Sequence, residues 1–176
     1  MKFYALIIAL TISMFMLIVM SCNERKESLD LHTAIDKEKI DVVKELLDSG
    51  IDPNRRPVPR GIPLEGAYPL HLAVVKGNKE IVQILLENGA QLNLEAKNKD
   101  EATPLHWAAF FGQTDMVSLL IQSGASMNML DANHGTPLDA AVYVWRISQD
   151  DEKKANHMKE IINILKSNGG KPADDL

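Results

Sequence analysis

The chain has a single cysteine in 176 residues, Cys22. That excludes an internal disulfide framework and any cysteine-rich zinc site. Positive charge is also short, with 19 Lys and Arg against 24 Asp and Glu and a formal net charge of −5. Nucleic acid and anionic lipid head groups both require clustered lysine and arginine, so neither is expected as a partner. There is no glycine-rich phosphate loop and no nucleophile elbow. Asp150, Asp151 and Glu152 form the densest acidic run, but no glycine or further ligand follows at calcium-loop spacing, and the run reads as a solvated loop. The expectation is a protein that is not an enzyme, with no catalytic, cofactor-binding or metal-binding residues and no small-molecule substrate.

Charge is missing altogether from residues 3–20, between Lys2 and the polar Asn23-Glu24-Arg25-Lys26. A short positive start, an apolar run and small residues before a cut describe a secretory signal. Val19-Met20-Ser21-Cys22 resembles the bacterial lipobox, which implies that Cys22 is diacylated (palmitate or a similar chain) and becomes the new N-terminus. The alternatives are an uncleaved anchor, since about 18 apolar residues can just span a bilayer, and an ordinary signal peptide. Cleavage before Cys22 removes Lys2, leaving 155 residues and a net charge of −6. The expected organisation is a signal peptide of lipoprotein type at 1–21, a tether at 22–28 and one folded domain at 29–176. The six residues between Cys22 and Leu29 reach about 20 Å when extended, so the domain would lie close to the membrane. Asn23 rather than Asp follows the cysteine; by analogy with the enterobacterial sorting rule, this favours the outer over the inner membrane of a bacterial envelope, facing the periplasm.

What the chain does have is repetition. Residues 69–93, PLHLAVVKGNKEIVQILLENGAQLN, and 104–128, PLHWAAFFGQTDMVSLLIQSGASMN, agree at 10 of 25 positions. The same framework continues upstream through Leu31, His32, Ala34, Val42, Val43, Leu46, Leu47, Gly50 and Asn54, and downstream through Thr136, Pro137, Leu138, Ala141, Ile161, Ile162, Ile164, Leu165 and Gly169. The spacing from His71 to His106 is 35 residues and from His106 to Asp139 is 33. In each full copy a proline opens a short helix, where its fixed φ is preorganised and its missing N–H costs nothing. Gly77 and Gly112 stand where that helix must turn through a left-handed residue. The second helices carry apolar stripes at Ile81, Val82, Ile84, Leu85 and at Met116, Val117, Leu119, Leu120, ended by Gly89 and Gly124. Leu85 and Leu120 are expected inside. A helix pair cannot bury its apolar face alone, so each unit must be covered by the next.

These copies of Pro-Leu-His, Ala, Gly, Leu, Gly-Ala and Asn, at a period near 33, resemble the ankyrin repeat family over 29–170. The resemblance implies an all-α solenoid of about four helix-turn-helix units with short finger loops, at about 29–54, 68–93, 103–128 and 136–170. The outer units are atypical, as caps are. Unit one has Glu38 where the next two have glycine, and unit four carries about twelve extra residues around 149–154. An insertion at 55–66, with Pro57, Pro59 and Pro63, is either a tolerated excursion or a contact arm.

Three histidines, His32, His71 and His106, recur at one repeat position, but stacked helices lie about 8–10 Å apart and one zinc needs its nitrogens at about 2 Å. They cannot share a metal. The family resemblance assigns this histidine to hydrogen bonds between adjacent turns, and Asp139 in unit four puts that tie in doubt there. The resemblance also implies that the two residues before the helix-ending glycine line a concave groove: Asp36 and Lys37, Val75 and Lys76, Phe110 and Phe111, Tyr143 and Val144. Phe110, Phe111 and Tyr143 would form an aromatic strip, with Trp145 adjacent where a glycine is expected, unless the unit-four insertion folds back and buries them. Trp107 is expected between helices. Candidate partner-binding residues are Phe110, Phe111, Tyr143, Lys76, Lys37, Arg55, Arg56 and Arg60, with the finger at 95–101 as a further candidate. The functional expectation is a membrane-tethered, monomeric periplasmic module that binds a protein, in concrete form an immunity or inhibitor protein masking a toxic enzyme. The alternative is an envelope stress or assembly accessory without an inhibitory role, and an enzyme is a distant third.

Overall fold

The structure is a computed structural model and describes residues 30–55 and 57–176. The proposed signal segment, the tether, Cys22 and Arg56 lie outside the described residues. Among the described residues there are eight α-helices: α1 Leu31–Asp36, α2 Ile40–Asp48, α3 Pro69–Lys76, α4 Lys79–Glu87, α5 Pro104–Phe110, α6 Thr114–Gln122, α7 Pro137–Ile147 and α8 Glu152–Ser167, followed by a 3-10 turn at Ala173–Asp175. None of these helices is long and apolar enough to cross a membrane.

They pair as α1/α2, α3/α4, α5/α6 and α7/α8, and the pairs stack. The odd helices form one layer, with α1 on α3, α3 on α5 and α5 on α7, and the even helices form the other. Each odd helix carries an alanine at the equivalent repeat position, Ala34, Ala73, Ala108 and Ala141, all fully buried. A methyl side chain at each repeat lets neighbouring helices approach closely, and the larger apolar residues then fill the space between the layers. Ile35, Ile81, Leu85, Met116, Leu120, Ile161 and Leu165 are buried there at 0 % exposure.

Gly77 at φ 69° and Gly112 at φ 73° turn α3 into α4 and α5 into α6. In unit one the same left-handed corner is turned by Glu38 at φ 51°. Its carboxylate accepts a hydrogen bond from Asn78 Nδ2 at 3.0 Å, so the side chain that makes the corner strained also ties it to the next unit.

Two ladders of side-chain hydrogen bonds join the stack. In the first, His71 Nδ1 accepts from the Tyr68 N–H at 3.3 Å while Nε2 donates to the Ala102 carbonyl at 3.0 Å. His106 repeats the pattern with Thr103 and, at 3.1 Å, with the Gly135 carbonyl. The doubt over unit four is resolved by the tail of the chain. Asp139 Oδ2 accepts from the Thr136 N–H and, at 2.8 Å, from the Ala173 N–H, and the Thr136 hydroxyl reaches the Lys171 carbonyl at 2.8 Å. A carboxylate can only accept, so it takes a backbone N–H where the histidines hold a carbonyl. The second ladder is made by the repeat-ending asparagines. Asn54 bonds Gln91 N and Gly89 O, Asn93 bonds Ser126, and Asn128 bonds Lys171 N and Gly169 O.

Unit four departs from the sequence expectation. α7 does not turn at the position equivalent to Gly77 and Gly112; it runs through Trp145 to Ile147. Of the carboxylates expected in a solvated loop, Asp150 and Asp151 precede α8 and are exposed, while Glu152 opens the first turn of the 16-residue helix, capped by Asp151, whose Oδ1 accepts from Lys154 N at 3.0 Å. The inserted residues lengthen both helices. Ala155, Met158, Ile161, Ile162 and Leu165 form one continuous buried stripe, and it is this apolar face that holds the added turns against α7 and α6. His157, on the added part, reaches back to the Gly112 carbonyl at 2.7 Å.

The insertion at 55–66 is pinned at its closing end. Val58 and Gly66–Ala67 exchange backbone hydrogen bonds at 2.8 and 2.9 Å, and the Gly66 carbonyl accepts from Lys97 N at 2.8 Å. Gly66 has φ 78°, and a Cβ there would meet the Lys97 carbonyl carbon at 2.5 Å. Gly66→Ala therefore combines left-handed strain with a backbone clash and is expected to cost about 2 kcal/mol. A urea melt checks it; an unchanged midpoint would mean that the loop is not held against the finger at 97–98.

Candidate partner-binding groove

The aromatic strip is exposed. Phe110 and Phe111 are 45 % accessible and Tyr143 is 56 %, which excludes burial under the unit-four insertion. Two backbone features put them there. The helix α5 ends at Phe110, and the C-cap Phe111 precedes the left-handed Gly112, so both rings project where the chain reverses. Tyr143 lies on α7 one turn before Ile147, which is 62 % exposed, so the lengthening of α7 extends an apolar face that a glycine would have cut short.

Below the surface the rings continue inward as a chain. Phe110 packs edge-on to Phe111 with centroids 5.4 Å apart, Phe111 to Trp107 at 6.0 Å, and Trp107 to His71 at 5.0 Å. Trp107 is 7 % exposed and packs between helices as expected. Edge-to-face contacts of this kind hold each ring in one orientation, so the two exposed phenylalanines rest on a rigid support. Val144 is buried at 3 %. The resemblance places it on the groove, but in the continued helix it lies about 100° round α7 from Tyr143 and faces the core.

These side chains floor a concave pocket of about 770 Å³ between units three and four. Phe110 and Trp107 come from α5 and Phe111 from its C-cap, Ala140 and Tyr143 from α7, Asn98 and Asp100 from one finger, Asp131 and Asn133 from the next, and Leu64 and Glu65 from the 55–66 insertion. The insertion thus supplies part of the wall. Among the described residues that line the pocket, the acidic and basic side chains are Glu65, Asp100, Asp131, Asp139 and His106, with no lysine or arginine. Burial pushes the His106 pKa below its usual value, against the opposing pull of the Gly135 carbonyl and of Asp131, so the imidazole is neutral at pH 7 and adds no positive charge. Asp139 is committed to Thr136 and Ala173. Asp131 Oδ1 is committed to Asn133 N and Gly135 N at 2.9 Å, which shapes the finger turn. Among the described residues, Glu65, Asp100 and Asp131 belong to none of the ion pairs, which are Lys44–Glu80, Lys76–Asp36, Lys79–Asp115 and His157–Glu160.

The described cationic candidates lie elsewhere. Lys76 is held by Asp36 at 2.8 Å, Lys37 is exposed just after α1, and Arg55 and Arg60 are exposed on the insertion; none of the four lines the pocket. The acidic rim went unnoticed in sequence because Glu65, Asp100 and Asp131 stand on three separate loops. No group of three or more His, Cys, Asp or Glu suited to a metal ion occurs among the described residues.

Comparison with known proteins agrees with this architecture. A family described as "Ankyrin repeats (3 copies)" matches residues 31–131 and 70–149. The chain is 33 % identical over 72 residues to the E3 ubiquitin-protein ligase KEG of Arabidopsis thaliana, across 41 % of this chain and 4 % of that protein. It is 38 % identical over 73 residues to human transient receptor potential cation channel subfamily A member 1, across 41 % of this chain and 6 % of that protein. It is 39 % identical over 61 residues to the putative ankyrin repeat protein FPV223 of fowlpox virus, across 35 % of this chain and 39 % of that protein. The chain therefore spans only a small part of the first two relatives and well under half of the third. With its stacked helix pairs, its glycine corners and its histidine and asparagine ladders, the chain belongs to the ankyrin repeat family, whose repeats are protein-protein interaction modules.

Proposed function

We propose that the chain is a lipid-anchored protein of a bacterial envelope, facing the periplasm, which holds a basic partner protein in its groove and masks it, as an immunity or inhibitor protein masks a toxic enzyme. The observation that carries the binding reading is the exposed aromatic floor walled by carboxylates. Rigid aromatic anchors are frequent centres of protein interfaces, and an acidic surround steers and selects a basic partner. The tethering reading rests on Val19-Met20-Ser21-Cys22 after a charge-free run. Affinity capture of the lipidated protein from envelope extract, followed by co-expression of the captured enzyme with and without this chain, tests the function. Growth arrest relieved by the chain is the expected result; a captured partner whose activity is unaffected would favour an assembly or stress accessory instead.

The anchor has its own test. A thioether to diacylglycerol requires a thiol, so Cys22→Ser is expected to abolish incorporation of a labelled fatty acid and to leave the precursor uncleaved. Label retained by the variant would remove the lipoprotein reading.

A further inference from the structure

We propose that the pocket between units three and four is a receptor for an arginine side chain of the partner protein. This deepens the binding reading above and rests on it. The floor offers the rings of Phe111 and Tyr143, both about half exposed, and the walls offer Glu65, Asp100 and Asp131, none of them ion-paired among the described residues. An aromatic floor alone would accept any apolar side chain, and carboxylates alone would attract any cation without shape. Together they select a group that is flat, cationic and rich in hydrogen-bond donors. Guanidinium stacks on aromatic faces and donates five N–H bonds in a planar fork suited to carboxylates, whereas ammonium is a strongly hydrated point charge. His106 is neutral and the described residues of the lining include no lysine or arginine, so none of them competes for the role.

The carboxylates come from the 55–66 insertion, from the finger before α5 and from the finger before α7. The fingers are braced against each other through Ala132 N to the Asp100 carbonyl at 2.8 Å, and the insertion is braced against the first finger through Gly66 and Lys97. Three loops are thereby fixed around one opening before any partner arrives. Preorganisation of this kind reduces the ordering cost of binding.

The test uses the full chain in neutral detergent micelles and two fluorescein-labelled peptides, one alternating glycine with arginine and one alternating glycine with citrulline, the uncharged isostere. Fluorescence anisotropy at low salt is expected to show at least tenfold tighter binding of the arginine peptide. Asp100→Asn with Asp131→Asn should remove most of that difference while keeping both finger turns, because an amide oxygen at position 131 can still accept the Asn133 and Gly135 N–H bonds and the turn at Asp100 is held by Asn98. Phe111→Ala with Tyr143→Ala should weaken the arginine peptide by a similar factor with little change in the melting temperature. Glu87→Gln, an exposed acid away from the pocket, serves as the control for general attraction and should change nothing. Equal binding of the two peptides, or equal losses from the pocket variants and Glu87→Gln, would overturn the proposal. A discriminating pocket in a chain that captures no envelope protein would instead count against the function proposed above and leave the pocket assignment standing.

Discussion

Replacing either Leu85 or Leu120 with alanine is expected to cost the domain about 2–5 kcal/mol. Both side chains are completely buried, each on the second helix of its unit, where α4 packs on α2 and α6, and α6 packs on α4 and α8. Truncation removes dispersion contacts with the unit on either side and leaves a cavity that rigid helix pairs cannot close. In a linear array stability is a sum of unit terms and nearest-neighbour terms, so a loss at a junction weakens two units at once. Urea melts would read the effect as a lowered midpoint, and a loss below about 0.5 kcal/mol at both positions would contradict the stacking described here.

Mild acid is expected to produce a loss of comparable size through the histidine ladder. Burial, helped by the neighbouring His106 and opposed by the Ala102 carbonyl, lowers the His71 pKa from 6.5 to about 4. Its Nδ1 lone pair is already engaged by the Tyr68 N–H, so a second proton would displace that bond. The unfolded chain takes up the proton near pH 6.5 and the folded domain only near 4. Stability is therefore full above 6.5, falls as the pH drops through that window, and at pH 4 is lower by about 3 kcal/mol from this residue alone. The His106 pKa is lowered in the same direction and adds to the loss. Thermal melts between pH 7 and pH 4 would show it. His71→Gln should flatten the slope even if its melting temperature at pH 7 is lower, and a parent protein equally stable at both ends of the range would refute the assignment.

The stacked architecture was legible wherever the sequence repeats itself. Gly77 and Gly112 mark the corners, Pro69 and Pro104 the helix starts, and the histidines the ties, because each requirement acts on one residue in its local backbone. Legibility failed where the determining partner is distant. The tie made by Asp139 depends on Ala173, 34 residues later, and nothing near Asp139 announces it. The unit-four insertion was misread for a different reason. Its charged start, Asp150-Asp151-Glu152-Lys153-Lys154, suggests a loop, yet Ala155, Met158, Ile161, Ile162 and Leu165 continue a helical stripe straight out of it, and that periodicity was the signal available. Exposure of Phe110, Phe111 and Tyr143 depends on where those added turns go, and so had to await the fold. The acidic rim is likewise a property of three loops brought together.

The ladders also set a timetable. His71 must wait 31 residues for the carbonyl of Ala102, His106 must wait 29 for Gly135, and Thr136 must wait 35 for Lys171. At a synthesis rate of about 5–20 residues per second, each helix pair spends roughly 1.5–7 s with one apolar face open before its successor arrives to cover it. A nascent chain built this way carries a single unfinished face at any moment, always at its growing end, and the hazard of misassociation moves along the chain one unit at a time. The fourth unit differs in kind, since the ties of Thr136 and Asp139 are made to the non-repeat residues Lys171 and Ala173.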